Sequence, residues 1–342
     1  MATHEREITE PVDLCTPDGR RLNPLAKGWS RTPQHRANLQ GVWGRTKRWD
    51  YWAILAGDLA VAITYGDVEY LGTVAVWWAD LRLGTSGGRE VVAPLGRGLA
   101  LPDVPGTDPL RFRSAHLDVD LVDDERGTTL TARWDEPDGT PGHLHARVDL
   151  PEGHESVNVV IPWSDRRYQC TTKDVARPAS GTITWGDHRT TMTTDGRSWG
   201  CLDFGRGRWP YRTTWNWGAG AGLVGEERVG LQLGGKWTDG TGMTENALVV
   251  DGRLSKLSEE LVWTYDREDW LRPWRVRTPR SDRVELTFTP IHDKVSRLQA
   301  GVAANAVDQC FGHWSGRVRP DDHDVIEIDG VFGWAEEATW RW

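Results

Sequence analysis

Three neighbouring stretches decide how this chain folds: His116-Leu117-Asp118-Val119-Asp120-Leu121-Val122, Thr128-Thr129-Leu130-Thr131-Ala132-Arg133-Trp134 and His143-Leu144-His145-Ala146-Arg147-Val148-Asp149-Leu150. In each, apolar and polar residues alternate, which on an extended chain sends one set to a buried face and the other to solvent. Acidic, Gly and Pro residues interrupt between them, as half-buried antiparallel strands require. The same pattern recurs at Ala60–Tyr65, Ser156–Pro162, Gly181–Trp185, Arg228–Leu233, Leu261–Tyr265, Trp274–Thr278, Arg283–Thr289 and Val325–Asp329. Asp-Gly pairs at 138–139, 195–196, 239–240, 251–252 and 329–330 are the dipeptides tight hairpins favour. Only Lys294–Gln309 reads as a helix. The expected class is therefore all-β.

Strands this short and this numerous fit barrels or sandwiches. The alternation gives way near Thr171–Ser180 to Lys, Asp, Arg and Pro, which suggests a seam between two halves. On that reading residues 1–30 are an N-terminal extension, 31–175 a first β domain and 176–342 a second. Leu101–Pro109, with three prolines, reads as a loop.

The 342 residues carry a net charge of −9 and no Lys/Arg-rich run, which argues against nucleic-acid binding by phosphate neutralisation. No apolar stretch is long enough for a membrane span. Met1–Pro11 has no apolar core of a secretory signal, so the expected location is cytoplasmic. The four cysteines are scattered, without a Cys-x-x-Cys pair, so neither a zinc ribbon nor a disulfide framework is expected. Trp is the outlier, at 21 residues against six Tyr and five Phe. Eight precede Thr171 and thirteen follow it, five of them between Trp199 and Trp237, which places the expected aromatic-walled cavity in the second half.

Several separated motifs carry a family resemblance: Leu14-Cys15-Thr16-Pro17-Asp18-Gly19, Lys47-Arg48-Trp49-Asp50-Tyr51-Trp52, Asp203-Phe204-Gly205-Arg206-Gly207, Trp215-Asn216-Trp217, Gly242-Met243-Thr244-Glu245-Asn246 and Gly333-Trp334-Ala335-Glu336-Glu337. Together they resemble a bacterial family of unknown function, number 2804 of the domain-of-unknown-function series. That family is similar to proteins of two consecutive lipocalin-like (calycin-like) antiparallel β-barrels, as in carotenoid hydratases and some natural-product cyclases. The resemblance implies the fold; it transfers no site residue.

The residues themselves point to Cys201–Asn246. Trp215 and Trp217, two apart on a strand, present two indole faces to one side, and Trp faces attract cations. With Trp237, Tyr211 and Arg206 they are the candidate binding residues for a hydrophobic small molecule. Asp203 and Glu245 stand among aromatic, Gly and amide residues instead of a charge run. Burial against Trp raises a carboxyl pKa and makes a usable general acid. Asn246 is a candidate for orienting a substrate oxygen. The competing readings are an ion pair with Arg206 or Arg208 for Asp203, a turn or strand-edge contact for Glu245, and for the Trp pair a structural role, filling a barrel core or packing between two barrels. Gly220-Ala221-Gly222-Leu223-Val224-Gly225 matches a dinucleotide fingerprint literally, but strand-like alternation follows where a helix is required. His143 and His145 share a strand face without a convincing third metal ligand.

These residues suggest a cofactor-independent, metal-free enzyme performing hydration, isomerisation or cyclisation by acid–base chemistry. The alternatives are a carrier using the same cavity and a carbohydrate-active enzyme with paired carboxylates. Oligomeric state is not legible.

Overall fold

The structure is a computed structural model that describes residues 5–300 and 303–342. Its only helical element among those residues is a 3-10 turn at Pro24–Ala26; the remainder is strand and turn. The alternating segments fall inside strands as expected, for instance Leu117–Asp124, Gly127–Asp135 and Pro141–Asp149, paired antiparallel in sequence.

Two sheets follow one plan. In the first, Thr46–Ala56, Leu59–Asp67, Leu71–Asp80 and Thr85–Pro94 meander outward. The chain then crosses to the far edge and returns through Leu110–Arg113, Leu117–Asp124, Gly127–Asp135, Pro141–Asp149, Tyr168–Trp185 and Ser198–Arg208. Ser198–Arg208 pairs with Thr46–Ala56, so the sheet curls back on its own first strand and stays open at one seam. The second sheet repeats this. Arg212–Val224, Glu227–Gly235, Ala247–Val250 and Arg253–Lys256 run outward. Val262–Thr264, Trp274–Arg277, Val284–Ala300, Ala303–Val318 and Ile326–Arg341 return, and the last pairs with Arg212–Val224. The fold is thus all-β, two consecutive antiparallel sheets each curled into an open barrel.

Two local expectations are corrected. Lys294–Gln309 is not helical: its ends pair with each other as a hairpin, from Lys294↔Gln309 to Ala300↔Ala303. Its Ala, Leu, Lys and Gln content favours a helix locally, but antiparallel pairing of the two arms with each other, and of the second arm with Ile326–Arg341, overrides that weak preference. Asp329-Gly330 is not a hairpin turn; it lies inside Ile326–Arg341, where the register slips opposite Ser315 as a bulge. Asp251-Gly252, in contrast, is a hairpin turn with both residues at positive φ. The charged stretch 171–180 lies within one strand, Tyr168–Trp185, and pairing passes from the first sheet to the second between Arg208 and Arg212.

Each curled sheet has its own apolar interior. Trp52, Ile63, Val76, Trp134 and Leu144 fill the first; Leu231, Leu248, Trp274, Phe288 and Trp314 fill the second. The glycines of the rejected fingerprint make room there: a Cβ on Gly220 would come within 2.9 Å of the Trp314 ring. A third core lies between the sheets and holds Trp209, Trp217, Trp237, Phe311 and Trp334. The aromatic wall expected inside the second barrel is therefore an inter-sheet wall. Alternation fixes which residues share a face, not which face turns inward.

Candidate functional site

Two rows of side chains, one from each sheet, face each other across the third core. In the first sheet Tyr51, Asp203 and Lys173 are direct neighbours on three adjacent strands. Residues directly opposite in an antiparallel pair project to the same face, so all three point at the second sheet. In the second sheet the row runs Gly234, Trp217, Glu336, Gln309 and Lys294. Gly234 has no side chain, and the Glu245 carboxyl occupies the space. A Cβ there would lie 2.3 Å from Glu245 Oε1. Glu245 itself comes from the connection between Glu227–Gly235 and Ala247–Val250.

Lys173 joins the rows. Its Nζ is 2.8 Å from Asp203 Oδ2, 3.6 Å from Glu245 Oε2 and 4.0 Å above the Trp217 ring. Asp203 and Glu245, which are 42 residues apart in the chain, thus meet through one buried ammonium. Thr171 Oγ1 contacts Asp203 Oδ1 at 3.2 Å, and Trp237 Nε1 donates to Glu245 Oε1 at 2.7 Å. Burial disfavours the Lys173 charge, but the Asp203 and Glu245 carboxylates outweigh it and raise its pKa. Burial raises Glu245 against the opposing pull of Lys173.

At the other end of the second row, burial pushes Glu336 up to about 7, although Trp215 Nε1 donates to its Oε1 at 2.8 Å and Lys294 and Lys173 favour the carboxylate. Lys294 has its ammonium 4.3 Å above the Trp77 ring, and burial brings it down to about 8 against the pull of Glu336 and Glu90. Burial also raises Tyr51. A proton donor and a proton acceptor that both titrate near neutrality therefore sit in one aromatic-walled cluster. Tyr51, Trp77, Trp163 and Trp215 are only half-buried, which leaves the lining partly accessible.

The other candidates fall elsewhere. Trp215 and Trp217 do share a face, and Trp237 stacks on Trp209 at 5.2 Å. Asn246 does not reach the cluster: its Oδ1 accepts from Gly234 N at 2.5 Å and its Nδ2 donates to Glu259 O at 2.9 Å, so it pins backbone. Arg206 points to the opposite face from Asp203. It pairs with Asp50 at 2.6 Å and donates to Pro102 O, Trp49 O and Gly205 O, fully buried. Tyr211 is 45% exposed in the link between the sheets. Neither Arg206 nor Arg208 pairs with Asp203; Lys173 does.

Three charged members were missed from sequence, along with Tyr51 and Gln309. Lys173 stood in the stretch taken as a seam, because buried charges that serve a neighbouring sheet look in sequence like a solvated linker. Glu336 stood in a quoted motif with no sign that it faces Trp217. Lys294 was masked by the helix reading. Among the described residues no group of three or more His, Cys, Asp or Glu could hold a metal. A separate cavity of about 300 Å³ lies in the first barrel, lined among others by Asp50, Trp52, Asp123, Asp174 and Arg177. No helix among the described residues is long and apolar enough to cross a membrane.

Fold and site define a class: an all-β protein of two curled sheets with a buried cluster of ionisable groups between them. The chain belongs to the family described as Domain of unknown function (DUF2804), whose model matches residues 5–342. Among solved structures it is similar to a putative AttH from Nitrosomonas europaea, at 14% identity over 86% of this chain and 92% of that one, TM-score 0.43. It is also similar to kievitone hydratase from Nectria haematococca, at 8% identity over 97% and 96%, TM-score 0.46. CghA bound to Sch210972 matches at 12% identity over 91% and 89%, TM-score 0.37. No curated protein matches in sequence.

Proposed function

We propose that this protein is an enzyme that rearranges or hydrates a hydrophobic small molecule by proton transfer, without an organic cofactor, at the cluster between its two sheets. The observation that carries the reading is the buried row in which Glu336, holding the Trp215 N–H, is joined through Gln309 to Lys294, with burial pushing the carboxyl up to about 7 and the ammonium down to about 8. General acid–base groups work best with pKa values near the working pH. In this reading Glu336 gives or takes the proton. Lys173 holds Asp203 and Glu245 in place, and the Trp rings exclude water and seat the apolar body.

Indole faces attract cations, but the Trp217 face already carries the Lys173 ammonium and the Trp77 face that of Lys294. Chemistry that develops negative charge on a substrate oxygen near Lys294 fits this arrangement better than a carbocation does. The buried free thiols Cys15, Cys170, Cys201 and Cys310 support a reducing, cytoplasmic setting.

The test is an untargeted one. The purified chain is incubated with a hydrophobic metabolite extract, and mass spectrometry reads compounds consumed, isomerised or gaining the mass of water. The expected result is conversion by the native chain and none by Glu336→Gln, with ligand retained by the variant. Equal conversion by both would remove Glu336 from the mechanism, and binding without conversion by either would make the protein a carrier.

A further inference from the structure

The cluster also says what its ligand must offer. Around Trp217 stand two buried hydrogen-bond donors with no acceptor among the described residues, Trp334 Nε1 and Gln232 Nε2, and beside them the buried Tyr51 hydroxyl, whose one side-chain partner is Gln309. The Tyr51 ring lies 5.7 Å from Trp217 and 6.4 Å from Trp334, and Trp217 and Trp334 meet at 4.9 Å. Gln232 is tied to the same ring, since its Oε1 accepts from Trp217 Nε1 at 3.0 Å. Glu245 Oε2, the acceptor nearby, faces the Lys173 ammonium at 3.6 Å. A buried donor left without a partner costs free energy, and such donors gathered around one ring mark a site that expects acceptors from outside.

Charge points the same way. The Trp217 and Trp77 faces, which a cationic ligand would seek, are covered by Lys173 and Lys294 at 4.0 and 4.3 Å. Lys173 is already shared by Asp203 and Glu245, but Lys294 has no carboxylate within 4.0 Å among the described residues. An oxygen carrying partial or full negative charge would therefore meet that ammonium and a phenol, where a further cation would meet like charge. A bare hydrocarbon would leave the Trp334 and Gln232 donors unsatisfied.

We propose that the inter-sheet site takes an apolar molecule whose head group is an oxygen acceptor, such as a conjugated ketone, an enolate or a carboxylate. This rests on the reading of that cluster as the binding site, but not on its being catalytic.

Four probes with one ring system test it by calorimetry on the full chain: naphthoate, acetylnaphthalene, ethylnaphthalene and naphthylmethylammonium. The expected result is that naphthoate and acetylnaphthalene bind at least about tenfold more tightly than ethylnaphthalene, with the ammonium weakest. Tyr51→Phe weakens the two acceptor probes by about fivefold and leaves ethylnaphthalene unchanged. Lys294→Gln weakens naphthoate more than acetylnaphthalene. Equal binding of ethylnaphthalene or of the ammonium overturns the proposal, and so does failure of all four probes to bind. Acceptor-selective binding without any metabolite conversion leaves this inference standing and defeats only the catalytic reading.

Discussion

Glu336→Gln isolates the energetic cost of keeping a carboxyl in the aromatic cluster. Glu336 moves from an ordinary 4.5 to about 7 in the folded chain, with burial the leading cause. The folded state therefore holds this proton over a pH range in which the unfolded state has released it. Stability contributed by the proton is present below the unfolded value and is lost as pH rises toward and through the folded one. A shift of this size makes the native chain lose about 2.5 kcal/mol between about pH 5 and about pH 8 through this group alone. Gln keeps the shape, can accept the Trp215 N–H, and does not titrate. Urea unfolding of both chains at the two pH values measures the effect, with the slope against denaturant checking that both unfold the same surface. The difference in stability, variant minus native, should rise by about 2.5 kcal/mol from the acid to the alkaline condition. A difference that stays flat would refute the raised value, and one that falls would mean Glu336 is held ionised by its lysine neighbours.

Other expectations follow from the same geometry. Lys173→Met leaves Asp203 and Glu245 buried without their shared cation and should cost about 3–5 kcal/mol in urea unfolding; an unchanged midpoint would show that the ion pairs do not matter to the fold. Gly234→Ala places a methyl where the Glu245 carboxyl sits, 2.3 Å from Oε1. It should displace Glu245 and lower ligand affinity or turnover by about tenfold or more, with a crystal structure of the variant showing whether the carboxyl has moved. Glu5→Gln strips the buried Lys256 of its partner at 2.5 Å, which also anchors Thr244 beside Glu245. A loss of about 3 kcal/mol is expected, read by urea unfolding, and faster proteolysis within 236–246 should accompany it.

The strand content was legible because period-two alternation and Asp-Gly punctuation are local signals. They placed Gly127–Asp135 and Glu227–Gly235 to within a residue or two of their observed ends. Asp203 and Glu245 were legible as well, by their isolation among aromatic and small residues. Lys173 was not, because charge in sequence looks the same whether solvent or a partner carboxylate awaits it. Lys294 was hidden by helix-favouring neighbours, whose preference is smaller than the gain from pairing two long strands.

The sequence by itself determined that this chain is all-β, that Trp215 and Trp217 share a face, and that two carboxylates stand apart from the charged surface. Those properties depend on residues a few positions from one another. Only the tertiary structure decided that the shared face looks at the other sheet instead of into a barrel, and that Lys173 closes a contact between Asp203 and Glu245. It likewise set Glu336 and Lys294 into one row. Strand register and sheet closure bring together residues from every part of the chain, and neither is written in any single stretch of it.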